Sequence, residues 1–257
     1  MKKRLSVLVA IILLFSSSYS SLAMSRVENT FFDPMVQLEA SESGMTYSAV
    51  MQERAIERKA NEQAINSFDN KAGANSVSND GRYVSSNVKL IQQTKSYNCG
   101  PTAALQVLYG CNCQSKVRGT NDSEKISKLM SESGTNSDGT IVYKLKNTLN
   151  SYSSMNYTYT AGKNLNINTL REKINNSLFY NSAPILHAKT EKISYYHGHK
   201  SGHYIAISQL DLVNNIVRVR DCNYNNQYYG TYDISLKEVY ESITPANETR
   251  YLIHLNY

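Results

Sequence analysis

The chain has 257 residues, 41% of them hydrophobic, with a net charge of +6, four Cys, no Trp and twenty Tyr. This length fits one large domain or one domain with an appendage, and the hydrophobic content is too high for disorder throughout. Four Cys are too few for a disulfide-built scaffold, and twelve Gly and four Pro exclude collagen-like and Pro-rich chains.

Residues 1–23 read as a secretory signal. Lys2, Lys3 and Arg4 form a basic start, Leu5 to Phe15 is apolar apart from Ser6, and Ser21-Leu22-Ala23 is a small-x-small cleavage site. The run is too short for a membrane anchor, which takes about 20 apolar residues. The cleavage point carries no Cys for a lipid anchor, and no second apolar run reaches spanning length. The expected product is therefore secreted and free of the membrane after signal removal. Loss of the three basic residues halves the net charge. Without a dense Lys/Arg cluster interleaved with aromatics, nucleic acid is not an expected partner.

Residues 24–44 are mixed in composition. Residues 45–68 are rich in helix formers and free of Gly and Pro beyond Gly44, with a thin stripe of Val50, Ala55, Ile56, Ala60, Ala64, Ile65 and Phe68. Residues 69–81 have linker composition. Residues 24–82 thus read as a separable helical arm plus linker, either packed on the domain or serving as a pro-segment over a cleft. No repeat and no sustained heptad pattern argues for a solenoid or a long coiled coil.

The compact domain is expected over 83–257. Val88–Ile91 reads as a short strand and Pro101–Tyr109 as a helix opened by Pro. Asp122–Ser133 and Thr140–Asn150 carry apolar residues at helical spacing. Thr169-x-x-Glu172 has the pattern of a capping box before Leu170, Ile174 and Leu178. The periodicity then changes. Ala183–His187, His203–Gln209, Ile216–Asp221 and Tyr229–Ile234 read as strands, Ser235-x-x-Glu238 opens a short helix, and Arg250–Leu255 alternates as a last strand. Helices first and strands afterwards predict an α+β fold.

The segment Gln93-x5-Cys99-Gly100-Pro101 carries the clearest chemistry. Cys99 stands at a helix start, where free N–H groups and the helix dipole favour a thiolate. Its own N–H and the amide of Gln93 are candidate donors to the oxyanion of an acyl-transfer intermediate. Four His fall between His187 and His203. His197-x-His199 followed by His203 is not a zinc-helix spacing, so no metal is expected. His203 begins a strand and Asp221 ends the next one. Asp221 is suited to orient the imidazole only if both share a sheet face. A two-residue turn at Asn214-Asn215 with no bulge would pair Asp221 with Ser208 and put it on the wrong face. A longer loop or a β-bulge is therefore required.

Gln93, Asn98-Cys99-Gly100-Pro101-Thr102-Ala103-Ala104-Leu105, Gly202-His203-Tyr204 and Val217-Arg218-Val219-Arg220-Asp221 together resemble the papain-like peptidases of family C thirty-nine, which includes bacteriocin-processing domains that cleave at double glycines. Ser133-Gly134-Thr135, Asp138-Gly139-Thr140 and the closing Gly230-Thr231-Tyr232 are similar to its secreted stand-alone relatives. The resemblance covers residues 83–257. It implies a helical lobe with the nucleophile helix, then an antiparallel sheet carrying His and Asp. It implies Cys99 as nucleophile, His203 as acid and base, Asp221 as orienter, Gln93 as oxyanion donor, a peptide or protein substrate, and no cofactor. One fold can carry several chemistries, so an amidase or acyltransferase and a non-catalytic peptide- or glycan-binding module are the competing expectations. Among the remaining thiols, Cys111 and Cys113 are too close to bridge each other, and either is a candidate partner for Cys222.

Overall fold

The computed structural model describes residues 33–68 and 81–257. The expected signal segment and nearly all of the expected linker lie outside the described residues.

The helical half comes first. It comprises α1 (Pro34–Ser43), α2 (Tyr47–Phe68), β1 (Tyr83–Ser85), α3 (Cys99–Gly110), α4 (Asp122–Glu132), α5 (Val142–Tyr152), β2 (Tyr157–Ala161) and α6 (Ile167–Phe179). Then follow β3 (Ile185–Lys189), β4 (Gly202–Asp211), β5 (Ile216–Asp221), β6 (Gly230–Ser235), α7 (Leu236–Ile243) and β7 (Tyr251–Leu255). The sheet is antiparallel throughout, in the order β2-β7-β3-β4-β5-β6, with β1 on β4. β3 pairs with the first half of β4 and β1 with its last three residues, so the two share one side of that strand. The expected α+β arrangement is the one present. α3 is buried on nearly every side, consistent with its Ala- and Leu-rich run.

Several boundaries differ from the sequence reading. Val88–Ile91 is not a strand. The ladder on β4 ends once Ser86 N–H reaches Ser208 O (2.9 Å), and Val88 N–H turns back to Ser86 O (2.8 Å). Ile91 O is instead satisfied by the Gln106 side chain (3.1 Å). α6 starts earlier than Thr169. Asn166 is its cap, and Thr169 is the third helical residue, bonding back to the Asn166 N–H (3.0 Å). The mixed segment 24–44 contains a helix, α1, with Asp33 capping Met35 N–H (2.9 Å), Pro34 at its first position and Gly44 at φ +71° closing it. β2 was not foreseen. Ser235 and Glu238 form the expected capping box of α7.

The arm is not separable from the domain. Val36, Ala40 and Val50 belong to the main hydrophobic core. Glu39 is buried and binds Arg54 (2.7 Å), Lys146 (3.0 Å) and the Tyr159 hydroxyl (2.8 Å). The Asn61 side chain donates to Asn156 O (2.8 Å) and Asn256 O (3.0 Å) and accepts from Asn156 N–H (2.9 Å), which ties α2 to the outer sheet edge.

Burial would raise the Glu39 carboxyl, but Lys146 and Arg54 hold it below its ordinary 4.5. Its stabilisation is therefore present above that pH and lost as the pH falls through the lowered pKa. Removing one member of a buried ion pair strands its partners at a cost of about 3–5 kcal/mol. Glu39→Ala is expected to lower the urea unfolding free energy of the whole chain by that amount. A loss under about 1 kcal/mol, the range of exposed pairs, would show that the arm is not anchored through this carboxylate.

Candidate active site

Cys99 is the first residue of α3, and its thiol is held where the helix meets β4. Asn98 precedes it, and Thr102 N–H and Oγ1 both donate to Asn98 O (3.1 and 2.9 Å), closing the first turn. Pro101 is the third helical residue, where its missing N–H leaves no bond unmade. Gly100 is required by its neighbour. A Cβ there would lie 2.7 Å from Thr140 Oγ1, so the loop before α5 is seated directly on the nucleophile turn.

The register of β4 and β5 places the other two groups. Asp211 pairs with Ile216, Leu210 with Val217 and Gln209 with Arg218, enclosing a four-residue turn closed by Asn215 at φ +54°. The register then shifts at Ser208, after which Ile207 pairs with Val219 and Ala206 with Arg220. Continued by one residue, the shifted register sets Asp221 opposite Ile205, on the same face as His203. Without the bulge, Asp221 would fall opposite Ala206 and face away. The four-residue turn by itself would not have sufficed, and of the two expected solutions, a longer loop or a bulge, the bulge completes the change of face. Its carbonyl is taken by Ser86 N–H, and its hydroxyl donates to Arg218 O (3.2 Å).

His203 Nε2 and Asp221 Oδ1 are 2.8 Å apart. That leaves Nδ1 uncommitted, and the imidazole lies close enough to Cys99 to favour its thiolate. Asp221 accepts three further bonds: Asn223 N–H to Oδ1 (2.9 Å), and the Tyr195 and Tyr196 hydroxyls to Oδ2 (2.7 Å each). Tyr195 stacks on Tyr232 at 3.8 Å and Tyr196 on Tyr228 at 4.6 Å, which fixes both hydroxyls. The sequence reading missed this pair. The adjacent tyrosines just before the His cluster were their only signal.

Cys99, His203 and Asp221 are 7%, 4% and 0% exposed, so their charges interact in a site nearly free of water. Burial opposes the thiolate, but His203 and the backbone N–H groups of Tyr204 and Gly100 bring the Cys99 thiol below its ordinary value. Burial likewise opposes the imidazolium, and Asp221, followed by Tyr196 and Cys99, raises His203 well above its own. Asp221 is held low against burial, chiefly by His203. All three shifts favour a thiolate–imidazolium pair backed by a carboxylate.

Gln93 is also brought to the site. Its N–H donates to Cys222 O (2.7 Å), and its Nε2 donates to Lys95 O (2.7 Å), which holds the amide in place with its second hydrogen free. Among the described residues the Cys99 N–H has no acceptor. Cys222 lies beneath the site. The strand ends at Asp221, and the Cys222 thiol turns to Gln93 Oε1 (3.6 Å), Cys99 O (3.6 Å) and Tyr204 O (3.5 Å). Burial pushes this thiol up to about 12, so it is no competing nucleophile.

All four Cys are free. The expected pairing of Cys222 with Cys111 or Cys113 is ruled out by place, because those two follow the far end of α3. Twelve residues of helix separate them from Cys99, about 18 Å at 1.5 Å per residue. The His cluster disperses too. His187 stacks on Tyr204 (4.4 Å) and meets Arg250 (2.7 Å), while His199 stacks on Tyr228 (5.5 Å). His203, Asp221 and Cys222 bring three potential metal-ligating atoms within 4.8 Å, but His203 and Asp221 are committed to each other.

A cleft of about 280 Å3 opens beside His203. Gln93, Ser96, His199, Gly202, Asn223 and Tyr228 are among the residues that line it, and no Asp, Glu, Lys or Arg does. No described residue of the arm lines it either. The 224–226 loop on one wall is held by Gln92 Nε2, which donates to Tyr224 O (3.2 Å) and Asn226 Oδ1 (2.7 Å).

Residues 85–247 match the sequence model of the Peptidase_C39 like family. No curated protein matches the chain. One similar solved structure is a double glycine motif protease from an AMS/PCAT transporter in complex with the leader peptide. It is 12% identical, covers 66% of this chain and 94% of that one, and has a TM-score of 0.44. Another is the peptidase domain of Streptococcus ComA, a bi-functional ABC transporter involved in a quorum sensing pathway. It is 17% identical, covers 65% of this chain and 98% of that one, and has a TM-score of 0.41. With the family match spanning more than half of its length, the chain belongs to the Peptidase_C39 like family and is a cysteine peptidase.

Proposed function

We propose that this peptidase is exported by its N-terminal segment and hydrolyses peptide bonds with Cys99 as nucleophile, His203 as acid and base, Asp221 as orienter and Gln93 as oxyanion donor. The observation that carries this reading is a thiol at the start of a buried helix beside an imidazole whose Nε2 Asp221 holds at 2.8 Å. The Cys99 thiolate attacks the substrate carbonyl carbon. The resulting oxyanion is met by the free Cys99 N–H and the second Gln93 Nε2 hydrogen. His203 gives its proton to the leaving amine, and a thioester remains. Water then adds to the thioester as His203 takes its proton, and collapse releases the acid product and the thiolate. The cleft lined by uncharged polar groups suits an extended peptide with polar, uncharged side chains. Export is supported by the basic start, the apolar run and the Ser21-Leu22-Ala23 site. No described helix is long and apolar enough to cross a membrane.

The direct test is the rate of iodoacetamide alkylation at Cys99 against pH, read by peptide mapping. Fast labelling is expected to persist well below the ordinary thiol pKa of about 8.5, and Cys99→Ala is expected to fold and lose all turnover. An ordinary thiol profile, or turnover retained in Cys99→Ala, would overturn the proposal.

The pH dependence of kcat/KM should follow from the two shifted groups. Activity falls on the acid side as Cys99 takes up a proton below its ordinary 9.0, and on the alkaline side as His203 loses one above its ordinary 6.5. Asp221→Asn removes the charge that raises His203, so its alkaline limb should move down and the plateau narrow. An unmoved limb would count against Asp221 as the orienter.

Gln93→Ala removes a donor made use of only after attack. It is expected to lower kcat by about 10²–10³ with little change in KM. An effect confined to KM would place Gln93 in substrate binding instead.

A further inference from the structure

Arg220 precedes Asp221 on β5 and, by strand alternation, faces away from the catalytic pair. On that side lies a concavity of about 380 Å3, lined by Ser86, Asn112, Asn181, Gln209, Arg218 and Arg220 among others, with no Asp or Glu in its wall. It also touches Gly110, the last residue of α3. Cys99 starts that same helix about 17 Å away at 1.5 Å per residue, so the concavity is no part of the catalytic cleft.

The two arginines differ in how their charge is met. Arg218 forms a two-pronged pair with Asp233 (2.8 Å at each prong), and its remaining nitrogen donates to Gln209 Oε1 (3.2 Å). Arg220 donates only to the Thr231 hydroxyl. Its Nε is buried without a partner, and among the described residues no carboxylate is ion-paired with it. Burial, and after it the like charge of Arg218, disfavours its charged form. Ser86 is a second unmet donor. It is 8% exposed, its hydroxyl has no partner, and it is fixed over Gly110, where a Cβ would lie 2.5 Å from Oγ.

Asn112 and Asn181 follow the ends of α3 and α6 at φ +56° and +53°. The negative ends of those helices would repel an anion. Several of their last carbonyls are already taken, Leu108 O by Cys113 N–H (2.8 Å), Leu178 O by Asn181 N–H (3.0 Å) and Ser177 O by Ser182 N–H (2.8 Å). What remains is a guanidinium that feels Asp233 only at a distance, with no contact ion pair among the described residues, together with a buried hydroxyl and side-chain amides around a polar concavity. Guanidinium forks match carboxylate and phosphate oxygens better than any neutral group.

We propose that this concavity is a second, non-catalytic ligand site that takes an oxyanion group, a carboxylate or a phosphate, with Arg220 as its charged anchor and Ser86 as a neutral donor. Binding is independent of turnover and of the roles assigned to Cys99 and His203.

The test is an amide NMR titration of the whole chain with three probes, namely inorganic phosphate, N-acetylalanine and N-acetylalanine amide. Saturable shifts at residues 85–87, 112, 181 and 218–220 are expected with phosphate or N-acetylalanine and none with the amide, and whichever anion binds more tightly names the source. Arg220→Gln should weaken binding at least tenfold while Arg220→Lys keeps part of it. Ser86→Ala should weaken it severalfold and serves where an Arg220 variant loses its fold. No saturable shift at tens of millimolar of either anion, equal binding of the amide, or unchanged affinity in Arg220→Gln and Ser86→Ala would each overturn the proposal.

Discussion

A single additional residue in β4 decides whether His203 and Asp221 meet. Strand side chains alternate, so a one-residue change of register carries every following side chain to the other face. The bulge at Ser208 makes that change between the turn and the site. Below it, Gln209 and Arg218 pair in the register set by the turn. Beyond it, Asp221 comes round to the face of His203, and Arg220 is sent to the opposite one. The bulge is itself held on both sides, by Ser86 N–H on the Ser208 carbonyl and by the Ser208 hydroxyl on Arg218 O.

The rest of the site answers the difficulty of keeping charges in a nearly dry place. A carboxylate without water is costly unless its lone pairs are filled. Asp221 fills them with four donors, two from tyrosines that are themselves clamped by ring stacking. The carboxylate then stabilises the imidazolium, and the imidazolium stabilises the thiolate at the helix start. Each charge is favourable only because the next is in place. Cys222 fills the floor of the site as a neutral thiol, its proton directed to three carbonyl-type oxygens.

The described part of the arm packs into the core. Its contacts run through Glu39 and Asn61 to α5, β2 and the end of β7, at the sheet edge away from His203. The domain thus completes its core with a segment separated from it by a linker. The cleft beside His203 is lined, among the described residues, by Gln93 and Ser96 on one side and by Asn223, Tyr224 and Asn225 on the other.

Much of this was legible locally. The helix start at Cys99, the Ser235–Glu238 cap, the strands from 185 onward and the change from helical to strand periodicity depend on neighbours within a few residues, and there the sequence reading agrees with the structure. Even the need for a longer loop or a bulge could be read from the parity of His203 and Asp221 around the turn. Errors arose where several local solutions compete. Asn166 outcompeted Thr169 as a cap, and Val88–Ile91, though apolar, found side-chain and turn partners in place of a ladder. What only the tertiary structure decided is which distant groups meet: Tyr195 and Tyr196 on Asp221, Cys222 under Cys99, Glu39 on Lys146. Those contacts join residues 25 to 123 positions apart. Local propensity carries no information about them, because they are set by how elements pack and by the strand register that packing selects.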